Sequence, residues 1–329
     1  VKQPLYLFTN SSVKRKDNTL RIETSDNKID RPVENISEIY LFGEHSFNTK
    51  LLNFLSQNKI PVHIFNYYGF YSGSFSPREV YLSGHVTVQQ AAHYLDPDKR
   101  MAIAHSFLDA ASSNIISNLT YYKNRDRDIE PQINAIKELK KKLSHAPSPM
   151  EIMGLEGNIR DLYYSTFNSI IRQDYDFKKR VYHPPDNFMN AVISFGNSLV
   201  YTTVLSELYR TQLDPTVSFL HEPGYRRYSL ALDLAEIFKP ILADRLIFTM
   251  LNKGELSEKD ADQDVNHCYL KESGRKKFLK KYDERLRKTI KHKTLNKQVS
   301  YKRLIRLDCY KLVKHIIGET TYSGFKMWW

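Results

Sequence analysis

The sequence predicts an α+β protein with a small N-terminal β-rich domain over residues 1–84, a linker over 85–95 and a larger all-α domain over 96–329. Three observations carry that prediction. Short apolar and aromatic runs ended by turn residues fill the first part of the chain. The texture changes after Gly84. From Asp96 onward, apolar residues recur at intervals of three and four, the period of a helix with one buried face. A length of 329 residues accommodates two domains of ordinary size or one large one.

Leu5-Tyr6-Leu7-Phe8 opens the β-rich part as an apolar, aromatic run. Asp17-Asn18 stands between two extended pieces, Val13–Lys16 and Thr19–Ile22, which is a hairpin signal. Ile36–Phe42 ends at Gly43, Pro61–Phe65 is a short apolar run, and Tyr67–Tyr71 turns at Gly69. Between these, Leu51, Leu52 and Leu55 give Asn48–Gln57 a helical spacing. In the second part, Asp96-Pro97 places a capping side chain before a proline at the first helical position. The helix it starts carries Ile103, Phe107, Ala110, Ala111, Asn114 and Ile115 on one face. Further helices are expected at 129–144, 149–175, 187–212, 228–252 and 299–316. Ser148-Pro149-Met150-Glu151 is a capped start with an acidic first turn, and Asp214-Pro215 breaks the chain between two helices.

Composition excludes several classes. Apolar residues make up 41% and charged residues 26%, the balance of a globular protein and not of a disordered tail, a collagen or a coiled-coil rod. No run approaches 18 consecutive apolar residues, so no membrane partner is expected, and Val1-Lys2-Gln3-Pro4 lacks the apolar core of a secretory signal. Cys268 and Cys309 are too few for a disulfide framework or a zinc finger, which points to reduced thiols and a cytoplasmic location.

The formal charge is +12, and it is local. Residues 271–303 hold 14 basic residues against 3 acidic ones. A solvated helical face would mix signs, so this stretch is expected to meet phosphate. Its DNA-binding candidates are Arg275, Lys276, Lys277, Lys280, Lys281, Arg285, Arg287 and Lys288.

Three segments could carry chemistry. Glu156 lies beside the apolar stripe of Ile152, Leu155, Ile159, Leu162 and Tyr163, and Gly157 after it would let a backbone or ligand come close. The plain alternative is a surface pair with Arg160 at i, i+4. His221 follows Phe219-Leu220 and precedes Glu222-Pro223-Gly224, at the end of an element. Here the alternative is a capping or surface histidine. Asp233 and Glu236 share one face of Ser229–Pro240, a helix apolar over much of its circumference. Two like charges on a buried face need a cation between them, either a divalent metal or a basic side chain such as Arg227 or Lys239. Carboxylate oxygens with one imidazole suit Mg²⁺ or Mn²⁺. Carboxylates, a histidine and a basic stretch together suggest phosphoryl-transfer chemistry.

In this order the motifs resemble the CRISPR-associated adaptation endonuclease/integrase family. The residues that carry the resemblance are Glu156-Gly157 with Tyr163-Tyr164, Asp214-Pro215 with Phe219-Leu220-His221, and Ser229-Leu230 with Asp233-Leu234-Ala235-Glu236. Arg180, Pro184-Pro185-Asp186-Asn187, Asn190-Ala191 and Ser194-Phe195-Gly196 also resemble it. Phe325–Trp329 is similar to members from type I systems. One departure is Glu236, where many members carry Asp. The resemblance implies that Glu156, His221 and Glu236 hold Mg²⁺ or Mn²⁺ and that Asp233 assists as an auxiliary acid. It implies catalytic transfer of a protospacer 3′-hydroxyl onto a phosphodiester of a CRISPR repeat, with double-stranded DNA as partner. It also implies a homodimer through the β-rich domain and a small CRISPR-associated adaptation protein that bridges two dimers; because a sheet this small must bury its second face, the dimer interface is expected to include residues from Ile36 to Phe75. Two readings compete with this one: a non-catalytic nucleic-acid scaffold whose buried acids are satisfied by arginine, and a metal-dependent nuclease acting on RNA.

Overall fold

The computed structural model describes residues 2–77, 81–173, 175, 177–182, 184–224, 228–263 and 267–328. The chain divides into two compact units, Val1–Val80 and Tyr81–Trp329.

The first unit contains β1 (Gln3–Leu7), β2 (Ser11–Lys16), β3 (Thr19–Glu23), β4 (Lys28–Pro32), β5 (Ile36–Phe42), β6 (His45–Phe47), α1 (Thr49–Gln57), β7 (Val62–Phe65) and β8 (Tyr71–Phe75). They form two four-stranded sheets, in the orders β1-β5-β7-β8 and β4-β3-β2-β6. The expected hairpin is present. Lys16 pairs with Thr19 across Asp17-Asn18, and Asp17 takes φ 51°, a left-handed value that a short polar side chain tolerates. Asn48 caps α1, its side chain accepting from the Leu51 backbone at 3.0 Å. Apolar faces of both sheets and of α1 close on one core through Val13, Leu20, Ile39, Leu51, Leu55 and Val62. Three strands were not legible. β4 is Lys-Ile-Asp-Arg-Pro, an edge strand exposed along its whole length and held to β3 by Arg21, which bonds Asp30 at 2.8 Å and 2.9 Å. β6 has only three residues, and β8 contains a glycine.

The second unit starts with α2 (Gly84–Leu95), α3 (Pro97–Lys123), α4 (Glu130–Lys142), α5 (Pro149–Ser165), α6 (Phe167–Ile170), α7 (Phe188–Leu208) and α8 (Ser229–Lys239). A π turn over Pro240–Asp244 leads into α9 (Arg245–Asn252). Then follow β9 (Ala261–Gln263), β10 (Cys268–Leu270), α10 (Glu272–Arg287), β11 (Thr289–Lys291), β12 (Gln298–Ser300) and α11 (Tyr301–Ile316).

The segment 85–95, expected as a linker, is the helix α2. Ser83 caps it, and its buried Gln90 side chain donates to the Asp214 carbonyl at 2.9 Å and the Val217 carbonyl at 2.6 Å. The expectation of an all-α second domain also needs correction, because β9–β10 and β11–β12 are two short antiparallel hairpins within it. The expected helix over 149–175 stops at Ser165, whereas the one over 228–252 runs continuously from Ser229 to Asn252 with a π turn at Pro240, which has no N–H to give the helix. α7 is long and apolar enough to cross a membrane, but 83% of its most apolar window is buried within the protein. α8 packs against both α3 and α7, so it is the innermost of the helices that carry candidate residues.

Candidate active site

α5 and α8 each bring one acid to a shared cation. Arg160, one turn after Glu156 on α5, donates from Nε to Glu156 Oε1 at 3.1 Å. Its Nη2 donates to Oε2 of Glu236 on α8. Lys239 closes the group by donating to Oε1 of Glu236 from the next turn of α8. Arg160 and Glu236 are buried, and Glu156 retains 23% exposure of its side chain. The i, i+4 pairing of Glu156 with Arg160 is therefore real, but it faces inward. Among the described residues no atom comes within 4 Å of where a side chain at Gly157 would begin, so that position is open and not filled by another backbone.

His221 and Asp233 form a second arrangement. Asp233 is fully buried on α8, and its carboxylate receives the turn before the helix. The backbone N–H groups of Phe219, Leu220 and His221 donate to it at 2.8, 3.0 and 2.9 Å. His221 Nδ1 lies 2.8 Å from Asp233 Oδ1. With the carboxylate accepting, Nδ1 carries the proton and Nε2 keeps the free lone pair, the tautomer that a metal ligand or a proton acceptor needs. The His221 carbonyl is held in turn by Ser218 Oγ at 2.6 Å. Asp233 and Glu236 thus go to different partners despite sharing a helix face. Asp233 anchors the histidine turn, and Glu236 meets the cations. Arg227, weighed as a partner for Asp233, lies outside the described residues.

Three further charged groups complete the surroundings. Burial pulls the Lys239 ammonium down to about 8, with Arg160 adding repulsion. Burial pushes the Asp244 carboxyl up to about 6, against the pull of Arg160, Tyr163, Lys239 and Arg180. Arg180 donates to Asn190 Oδ1 at 3.0 Å and Ser194 Oγ at 2.8 Å, which ties together the separate residues that resembled the family motif. The sequence offered Arg160 as a surface partner of Glu156 and Lys239 as a partner for the α8 acids, but not the link through Arg160 from Glu156 to Glu236, which joins two separate helices. Asp244 was missed altogether. Its one sequence signal is an acid directly after Ile241-Leu242-Ala243.

Among the described residues, no three of His, Cys, Asp and Glu stand together as a closed metal-binding group. Two of the three expected ligands, Glu156 and Glu236, converge on one guanidinium, while His221 is engaged by Asp233. The donor chemistry still fits a hard divalent cation. Two carboxylates from separate helices are already drawn to one positive group, and the imidazole has its Nε2 lone pair to offer.

The basic stretch divides in the same direct way. Arg275 is buried. Arg285 turns inward, donating to the Ile241 carbonyl at 2.7 Å and lying over the Tyr301 ring. Both were candidates for DNA contact, and both serve the protein's interior instead. Lys276, Lys277, Lys280, Arg287 and Lys288 on α10 and just past its end are exposed, and Lys281 is half-buried.

An acidic pair on buried helices, a fixed histidine and an exposed basic helix define the class of protein as a nucleic-acid-processing enzyme. The family profile for CRISPR associated protein Cas1 matches residues 5–284. The chain is 48% identical over 330 residues to CRISPR-associated endonuclease Cas1 of Fusobacterium nucleatum, covering 100% of this chain and 98% of that one. It is 50% identical over 330 residues to CRISPR-associated endonuclease Cas1 3 of Thermodesulfovibrio yellowstonii, covering 98% and 99%. The structure of a CAS1 protein from Thermotoga maritima superimposes with a TM-score of 0.89 at 40% identity, over 98% of this chain and 100% of that one. A casposase bound to integration product shares the fold, with a TM-score of 0.87 at 21% identity over 98% of this chain and 92% of that one. The chain belongs to the Cas1 family. It is a CRISPR-associated endonuclease.

Proposed function

We propose that Glu156, His221 and Glu236 hold a Mg²⁺ or Mn²⁺ ion at which a DNA 3′-hydroxyl is transferred onto a phosphodiester of a CRISPR repeat. The convergence of Glu156 and Glu236 on one cationic group supports this reading above all else. The attacking O3′ forms a bond to phosphorus as the repeat strand's O3′–P bond breaks, and the proton of the attacking hydroxyl ends on the leaving oxygen. One phosphodiester replaces another, so no ATP is consumed. When bound, the cation supplies positive charge to the phosphoryl oxygen and to the attacking and leaving oxygens. Asp233 keeps the His221 ring in place and its proton on Nδ1, which leaves Nε2 to ligate or to accept a proton. The exposed lysines of α10, with Arg287 and Lys288, serve the DNA backbone as charges on phosphate. Two buried free thiols accord with work in a reducing cytoplasm.

Strand transfer on a repeat-containing duplex tests the site. Glu156→Ala, His221→Ala and Glu236→Ala should each lower it at least a hundredfold while circular dichroism stays native, and an RNA substrate of the same sequence should remain intact. Two of these variants with wild-type activity would sink the assignment.

The same reading includes a homodimer through the first unit, with residues from Ile36 to Phe75 in its interface, and a small adaptation partner that bridges two dimers. Phe47, Ile64, Tyr67 and Tyr68 support it as large apolar or aromatic side chains that are exposed on that unit. A two-fold pair would fix the separation of two active sites, as joining both ends of one DNA segment requires. Light scattering should give a dimer mass for the full chain and a monomer mass for Ile64→Glu/Tyr67→Glu. A full-length monomer, or a doubly substituted dimer, defeats the interface.

A further inference from the structure

Asp244 has no place in the chemistry described so far, yet it is the least comfortable acid near it. It is fully buried, and among the described residues its carboxylate oxygens have no partner beyond the nearby Tyr163 hydroxyl. The Tyr163 hydroxyl accepts from Asn118 Nδ2 at 2.8 Å, which leaves its own O–H to turn towards Asp244 and favour the ionised form. The buried Nη1 of Arg160 also has no partner among the described residues. Of the charged groups around Asp244, Arg160 acts on it most strongly. Two buried opposite charges, each incompletely paired, are costly to keep, and such groups call for an explanation beyond packing.

The π turn supplies the geometry. Asp244 is eight positions after Glu236, which in a regular helix would rotate it well away from the Glu236 face. The single extra residue of the π turn over Pro240–Asp244 returns it to the phase of position seven, two turns on and nearly aligned. Glu236 and Asp244 therefore offer carboxylates along one ridge, roughly 10 Å apart at the backbone, with Arg160 facing them from α5.

We infer that Asp244 is a second dock for Arg160, to which the guanidinium transfers when a divalent cation takes Glu156 and Glu236. This rests on the metal site proposed above. Arginine cannot discard its proton, so a cation arriving between the two glutamates must displace Arg160 towards another acid. Asp244 is a buried acid near Arg160 that no other cation bonds among the described residues. It is a positioning residue: it touches neither DNA nor metal, and it sets how readily the glutamates are released. Arg160 then acts as a tethered competitor that holds Glu156 and Glu236 together until the ion arrives.

The test is Mn²⁺ affinity of the full-length protein, read from the free-ion EPR signal, with thermal melts in EDTA as a folding control. Asp244→Asn should weaken Mn²⁺ binding about tenfold, within the usual span of site-to-site coupling. Arg160→Met should tighten it, and in that background Asp244→Asn should have no further effect. Asp244→Asn with wild-type affinity, or with the same weakening when Arg160 is absent, overturns the inference and leaves the metal site standing. Should Asp244→Asn not fold, Arg160→Met decides alone, since unchanged or weaker binding contradicts a competitor role. Wild-type protein that binds no Mn²⁺ overturns both the site and the second dock.

Discussion

Asp233 and Asp244 lie on the same helical run, eleven positions apart, and both are fully buried. Asp233 accepts from three backbone N–H groups and sits against the His221 ring, so every lone pair that faces the protein is used. Asp244 has no backbone donor and no cation bonded to it among the described residues, only the Tyr163 hydroxyl nearby. Burial alone would rank the two acids as equals. Their partners separate them: the first is a fixed element of the fold that shapes the histidine turn, and the second is a charge the fold tolerates at a cost. A satisfied buried carboxylate stabilises the state in which it is seen, whereas an unsatisfied one favours some other state.

That contrast is sharpest in stability. Asp233→Ala removes the acceptor for three buried N–H groups at once, and each donor left unpaired costs about 1–3 kcal/mol. A loss on the order of 4 kcal/mol is expected in urea unfolding, with Asp233→Asn in between because one amide oxygen remains as acceptor. A loss below about 1 kcal/mol would mean that water replaces the carboxylate without penalty, and the distinction between the two acids would collapse.

Much of this arrangement could be read from the residues. Glu156, Asp233 and Glu236 stood out because an acid on an apolar helix face must find a partner, and the His221 turn stood out because an apolar pair ran straight into it. Helix starts at Asp96 and Ser148 were legible because their side chains cap, with the Asp98 and Lys99 N–H groups on Asp96 Oδ1 at 3.1 Å. The misses have physical reasons. β4 has no buried side chain, so it lacks the alternation that marks a strand. α2 opens with Val86, Thr87 and Val88, which favour strands, but a Ser83 cap and the clamp from Gln90 override that preference. α10 hides Phe278, Leu279, Tyr282 and Leu286 at helical spacing within a dense basic run, so it reads as charge first. The placement of Asp244 depends on the phase shift of a π turn, which no residue pattern announces beyond the proline that begins it.

The smaller and more discriminating effect is the pH dependence of Asp244. Its carboxyl titrates at about 6 in the folded protein against 3.8 for an ordinary aspartate, because burial disfavours the charged form more than Arg160, Tyr163, Lys239 and Arg180 favour it. The native state therefore binds a proton that the unfolded chain has lost between those values. Stability from this group is complete below pH 4 and is lost as pH rises through about 6. The loss is on the order of 3 kcal/mol at one pKa unit per 1.36 kcal/mol. Asp244→Asn abolishes the titration, since an amide carries no charge at any of these pH values. Measured in EDTA, the variant should match the wild type near pH 4 and exceed its stability above pH 6.5, with the gap opening between. Equal curves for the two proteins across pH 4–7 would show that Asp244 is as well satisfied as Asp233, and the contrast between these two acids would then rest on nothing but position.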